Sequence, residues 1–150
     1  MRYIMQEGYL FLGEGDWQDR TVNMLGANHL PTKGTNLVVT REPLPDGLSL
    51  ADYLLNQKTL LAKELPDYSL LADNSDNMNG HPAHYLEVSW DNQGVAMQQM
   101  ILVIDNNRNI LNITATIPGE VDEQSRTELL TVMRSFRPGP VPVERGDTAP

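Results

Sequence analysis

Apolar and polar residues recur along this chain with two different periods, and the changes between them mark its elements. Residues 3–12 alternate loosely at the strand period and break at Gly8. The turn cluster Gly13-Glu14-Gly15-Asp16 follows. Residues 17–25 read as a strand, with Val22 and Met24 on one face and Thr21 and Asn23 on the other. A loop holding Pro31 and Gly34 leads to a strand over 35–42. There Leu37 and Val39 share one face and Val38 and Thr40 the other, until Pro43, Pro45 and Gly47 end it. The period then changes. Leu50, Tyr53, Leu54, Leu61 and Leu65 recur at helical spacing. Ser49 stands at the N-cap position, and Asp52 completes a capping box with Asp in place of Glu. Pro66 stops the helix, and Gln57 interrupts its apolar stripe between Leu54 and Leu61.

The strand period returns over 68–78, 84–90, 95–105 and 110–117. Asn79-Gly80, residues 91–94 and residues 106–109 are the turns between these runs, so the section reads as an antiparallel meander. A second helix is predicted over 122–136, with Leu129, Val132, Met133 and Phe136 as its buried stripe, extended by Val121 and Leu130. Residues 1–137 are then one domain, and the Pro-rich residues 138–150 read as a disordered tail. The predicted class is α+β: a curved antiparallel sheet of six or seven strands with two helices packed on one side.

The strand over 95–105 departs from the pattern of a sheet with one wet face. Val95, Met97, Gln99, Ile101 and Val103 share one side, and Ala96, Gln98, Met100, Leu102 and Ile104 the other. Both sides are apolar with one glutamine each. Residues 37–39 and 110–113 are two-sided over shorter runs. Two helices on one side leave the other side bare, and apolar patches beyond a few hundred Å² are uncommon on free monomers. A second subunit, a partner helix or an apolar ligand would cover it; so would the chain's own loops if the sheet curls. Gln57, Gln98 and Gln99 lie inside apolar stripes, where they either face water or await a hydrogen-bonding partner. Met24, Met97 and Met100 fall on candidate sheet positions, and flexible thioethers suit both core filling and varied apolar partners.

Composition narrows the choice. The 150 residues carry a net charge of −9. That balance, with no cluster of Lys and Arg, argues against nucleic acid and against direct membrane insertion or docking on an anionic lipid surface. There is no cysteine, which removes disulfides and thiolate chemistry. Gln6 and Glu7 interrupt the opening apolar residues, so residues 1–7 do not read as a secretory signal. No run approaches the roughly 18 apolar residues of a membrane span. A soluble, cytoplasmic protein is the expectation.

No catalytic constellation stands out. His81 and His84, three apart on an extended segment, point to opposite faces and suit no shared metal. His29 reads as a solvated loop histidine. Residues 73–77 (Asp-Asn-Ser-Asp-Asn) lack the spacing and terminal Glu of a calcium loop and read as a solvated strand end. Glu120, Asp122 and Glu123 complement the dipole at a helix start. No phosphate or dinucleotide loop and no nucleophile elbow occurs, so no enzyme, no cofactor and no metal is expected.

Residues 1–8 (Met-Arg-Tyr-Ile-Met-Gln-Glu-Gly) and 16–24 (Asp-Trp-Gln-Asp-Arg-Thr-Val-Asn-Met) resemble the Eag chaperones of bacterial type VI secretion systems. These belong to the DcrB-like, PsbP-related fold group. The resemblance spans about residues 1–137. It implies a homodimer that shields the N-terminal transmembrane helices of a secreted effector, of the Rhs/PAAR type, before export. It also implies an apolar surface containing hydrogen-bonding groups. By the family's pattern Val22, Met24, Leu37 and Val39 line that surface, with Gln57 nearby, and Leu61 one turn further along the same helix. Strand parity adds Met97, Gln99 and Ile101; a one-residue slip would substitute Gln98, Met100 and Leu102. A carrier with a sheet-lined cavity for a small apolar ligand is the competing reading, and an enzyme on a similar scaffold a third.

Overall fold

A computed structural model describes residues 1–139. Residues 140–150, most of the expected tail, lie outside the described residues. The first ten residues of the pattern form a hairpin, β1 (Arg2–Met5) and β2 (Gly8–Phe11), which pair only with each other. A six-stranded antiparallel sheet follows. Its strands are β3 (Asn23–Gly26), β4 (Asn36–Pro43), β5 (Ser69–Met78), β6 (His81–Asn92), β7 (Val95–Asn106) and β8 (Asn109–Pro118). Their spatial order is β3-β4-β8-β7-β6-β5. Helix α1 (Leu50–Glu64) joins β4 to β5, and α2 (Glu123–Arg134) follows β8. The predicted α+β class therefore stands.

Local chemistry sets most of these elements. Ser49 Oγ accepts from Asp52 N while Asp52 accepts from Ser49 N, a reciprocal capping box that starts α1. The meander turns at Asn79-Gly80, Gln93-Gly94 and Asn107-Arg108, where both central residues of each turn have positive φ. Such two-residue turns match the twist of the flanking strands. The strand expected over 17–25 shortens to Asn23–Gly26. Upstream, Thr21 N donates to Asp19 Oδ1 (2.9 Å) and Arg20 to Gln18 Oε1 (3.1 Å). These local bonds replace the ladder bonds a strand would need.

The helices pack on opposite faces, not on one side as expected. Tyr53 and Leu54 of α1 bury against Leu86, Val103 and Ile110. Leu129 and Met133 of α2 bury against Met100, Leu102, Ile104 and Ile113. Leu102 and Val103 are consecutive on one strand, so they must look to opposite sides. This explains the two-sided apolar run of β7, because each side has its own helix. Val132, expected in the α2 stripe, is instead 47% exposed.

Candidate functional site

The α1 side of the sheet is covered unevenly. The N-terminal turns of α1 sit where Tyr53 OH donates to Glu42 and accepts from Asn112 Nδ2 (3.2 Å). Its far end lies beside the end of β6, where Asp91 N donates to Pro66 O (2.9 Å). The helix thus runs over β6 from Leu86 and Val103 toward Asp91, with Lys58 bonded to Asp73 of β5 (2.9 Å). Gln57 and Leu61 continue the stripe of Tyr53 and Leu54, and both are half-buried. Among the described residues no helix lies above the rest of this face, over β7, β8, β4 and β3.

Register settles which residues floor that strip. Ile101 pairs with Thr114, Thr114 with Val38 and Val38 with Met24, so these four lie in one row across the sheet. The next row is Gln99, Thr116, Asn36 and Gly26. Met97 follows on the same face of β7. Met97, Gln99, Ile101, Thr114, Thr116, Asn36 and Val38 are half-buried, and Met24 is 67% exposed at the edge. Gln99 Nε2 donates to Thr116 Oγ1 (3.0 Å). Asn36 Oδ1 is buried without a hydrogen-bond partner. The surface is therefore apolar at Met24, Val38, Met97 and Ile101 and carries hydroxyl and amide groups between them.

Six sequence-derived candidates meet on this strip or its helical wall: Met24, Gln57, Leu61, Met97 and the pair Gln99 and Ile101 on β7. Leu37 and Val39 do not. Both face α2, where Leu37 is buried in the core and Val39 packs against it. Val22 lies just before β3, 53% exposed. Sequence reasoning missed Val38, Thr114, Thr116 and Asn36. Their signal is pairing across non-consecutive strands, which alternation within one strand does not carry.

The other polar clusters brace the fold. Glu87 is buried under α2, where Tyr85 OH (2.6 Å), Gln98 Nε2 (2.7 Å) and Arg126 Nη2 (2.7 Å) all donate to its carboxylate. Burial opposes its ionisation, but these three donors win and hold the carboxyl below its usual range. Gln98 is thereby satisfied on the α2 side, away from the strip. The acidic run is not simply solvated. Asp73 takes His84 and Lys58 of α1 as partners, and Asp76 takes Arg134 of α2. His29 pairs with Glu128 rather than standing alone in water. No group of three metal-binding side chains occurs among the described residues. An open cleft of about 810 Å³ lies between residues 18–23 and 40–43, but polar groups line it and Arg41 bridges it to Asn23 Oδ1 (2.6 Å).

The profile of the family described as DcrB matches residues 7–135. A protein of Pseudomonas aeruginosa named Effector EagT6 is 27% identical over 104 residues, covering 67% of this chain and 70% of that one. This relative supports the Eag and DcrB-like resemblance read from the sequence. A crystal structure of a Pseudomonas aeruginosa protein of unknown function, PA94, superposes with a TM-score of 0.74 at 22% identity over 94% of this chain and 98% of that one. The solution structure of the cyanobacterial PsbP protein CyanoP from Synechocystis superposes with a TM-score of 0.53 at 16% identity, covering 77% and 81%. These two likenesses speak to the fold alone.

Proposed function

The chain belongs to the DcrB family, and from that premise we propose that it is a cytoplasmic, non-catalytic chaperone. Its client is the N-terminal transmembrane region of a type VI secretion effector, and it works as a homodimer. The observation that carries this reading is the strip beside α1, with Ile101, Val38, Met24 and Met97 interleaved with Gln99, Thr116, Thr114 and Asn36. Membrane helices associate through close apolar packing together with interhelical hydrogen bonds from such hydroxyl and amide groups. The strip offers both. Covering about 800 Å² of a membrane helix offsets roughly 20 kcal/mol of exposure before association costs.

The small-ligand carrier is less well supported, because the hollows at the chain's N-terminal end are open clefts rather than enclosed cavities. The test is co-expression with the effector encoded beside this chain. The two should copurify, and deleting the effector's N-terminal apolar segment should abolish this. Equal recovery after the deletion would overturn the reading.

A further inference from the structure

Strand β5 is one edge of the six-stranded sheet, and among the described residues no strand pairs with its outer side. The turn at its end fixes which backbone groups face outward. Met78 and His81 flank the two-residue turn Asn79-Gly80 and form a hydrogen-bonded pair. Such pairs alternate along an antiparallel ladder. Asp76 and Asn74 therefore also bond to β6, whereas Asn77, Ser75 and Asp73 turn their N–H and C=O groups away from it. Two details agree. Asn77 stands opposite Pro82, which has no N–H to give, and Asn77 N donates instead to Asp76 Oδ1 (2.7 Å). An edge of this kind is a template for one more strand.

The chain itself carries a matching segment. Helix α2 ends over β5, where Arg134 pairs with Asp76, and Phe136 O accepts from Asn79 Nδ2 (3.4 Å) at the turn. The chain thus reaches the Met78 end of this edge, and a segment running back along β5 lies antiparallel to it. Gly139 bends there with a φ of +109°. Beyond it Pro140 and Pro142 alternate with Val141 and Val143. Alternate residues of an extended segment direct their backbone groups to opposite edges, so every N–H of residues 140–143 falls on one edge and none on the other. We propose that residues 140–145 add to β5 as the outermost strand of the sheet, with Val141, Val143 and Arg145 opposite Asn77, Ser75 and Asp73. This gives residues 140–145 an ordered state in place of the disorder that their composition predicts. The proline edge then faces water and ends the sheet, the place where a strand tolerates proline. Cross-strand partners share a face, so both valines stand on the side of Asp73 and its partner Lys58 of α1. A hollow of about 370 Å³ lies on that side between Leu50, Ala51 and Leu54 of α1 and Ser75 and His84 of the sheet. Arg145, the one base in residues 140–150, falls opposite the Asp73 carboxylate. The inference goes beyond the client reading and does not depend on it.

The full chain, its Val141→Pro/Val143→Pro variant and its Val141→Ile/Val143→Ile variant would be compared by residue-resolved amide hydrogen exchange. The proline variant removes two of the donors that face β5, and the isoleucine variant keeps them. In the full chain and the isoleucine variant, the amides of Ser75 and Asp73 should exchange at least tenfold more slowly than in the proline variant. Those of Asn74 and Asp76, bonded to β6, should exchange alike in all three. Equal exchange at Ser75 and Asp73 in all three proteins would overturn the added strand, as it would if the segment served only a separate partner. An isoleucine variant as fast there as the proline variant would also overturn it, because its donors are intact. So would a proline variant in which Asn74 and Asp76 speed up as much as Ser75 and Asp73, since the segment would then support the whole domain rather than its edge.

Discussion

Val38 and Val39 are neighbours in the chain and lie on opposite sides of the sheet. Val38 stands in the row with Ile101, Thr114 and Met24, on the strip beside α1. Val39 packs into the core under α2. A charge at each should therefore do different work. Val38→Asp leaves the core intact and should weaken effector retention at least tenfold in a copurification assay, with an unchanged melting temperature. Val39→Asp sets a carboxylate against the α2 core and should cost about 2 kcal/mol or more of stability, read as a lowered urea midpoint. If both variants fold normally and only Val39→Asp loses the client, the strip has been placed on the wrong face. The glutamines divide the same way. Gln98 is spent on Glu87 beneath α2, whereas Gln99 faces the strip and holds Thr116.

Among the elements, those with local determinants were legible. The capping box at Ser49 and Asp52, the Asn79-Gly80 turn and the meander from β5 to β8 all rest on residues within a few positions of each other. Helix α1 depends on its cap because little of it is fully buried: only Tyr53 and Leu54 qualify. Ser49→Ala should thus lower stability by about 1 kcal/mol, detectable as a reduced urea midpoint with an unchanged slope. A negligible change would mean that packing alone holds the first turn. The strand expected over 17–25 shortens to Asn23–Gly26, since its alternation is real while side-chain bonds at Asp19 and Gln18 divert the backbone. Alternation reports which side chains share a face; it does not report whether a neighbour strand is present to pair.

At the scale of the whole molecule, three carboxylates pin the two helices to the sheet. Asp73 ties β5 to α1 through Lys58, with His84 beside it, and Asp76 ties β5 to α2 through Arg134. Glu87 ties β6 to α2 through Arg126. His84, then Lys58, lower the Asp73 carboxyl, and Arg134 lowers that of Asp76 against its partial burial. Glu87 is lowered despite the opposing effect of burial. A depressed folded value means stability that is fully present above the unfolded value, about 4 for these groups, and is lost as pH falls through the folded value. The urea midpoint should therefore hold from pH 7 to about 5 and fall below about pH 4. An Asp76→Asn/Glu87→Gln variant should start less stable at pH 7 and lose less on acidification. A parallel fall in both proteins would assign acid lability to other groups.

The amino-acid sequence by itself determined the periods, the caps, the turns and the two-sided apolar character of β7. Each is settled by residues close together along the chain. It also showed, through residues 1–24, which family to expect. Only the tertiary structure decided that α1 and α2 lie on opposite faces and that β4 pairs with β8. The physical reason is parity. Alternation separates the two sides of any one strand, but it does not say which side of β4 continues which side of β8, or which helix covers it. Those choices depend on contacts between segments some 75 residues apart, such as Val38 with Thr114. They move the floor of the strip from Leu37 and Val39 to Val38, Thr114 and Thr116.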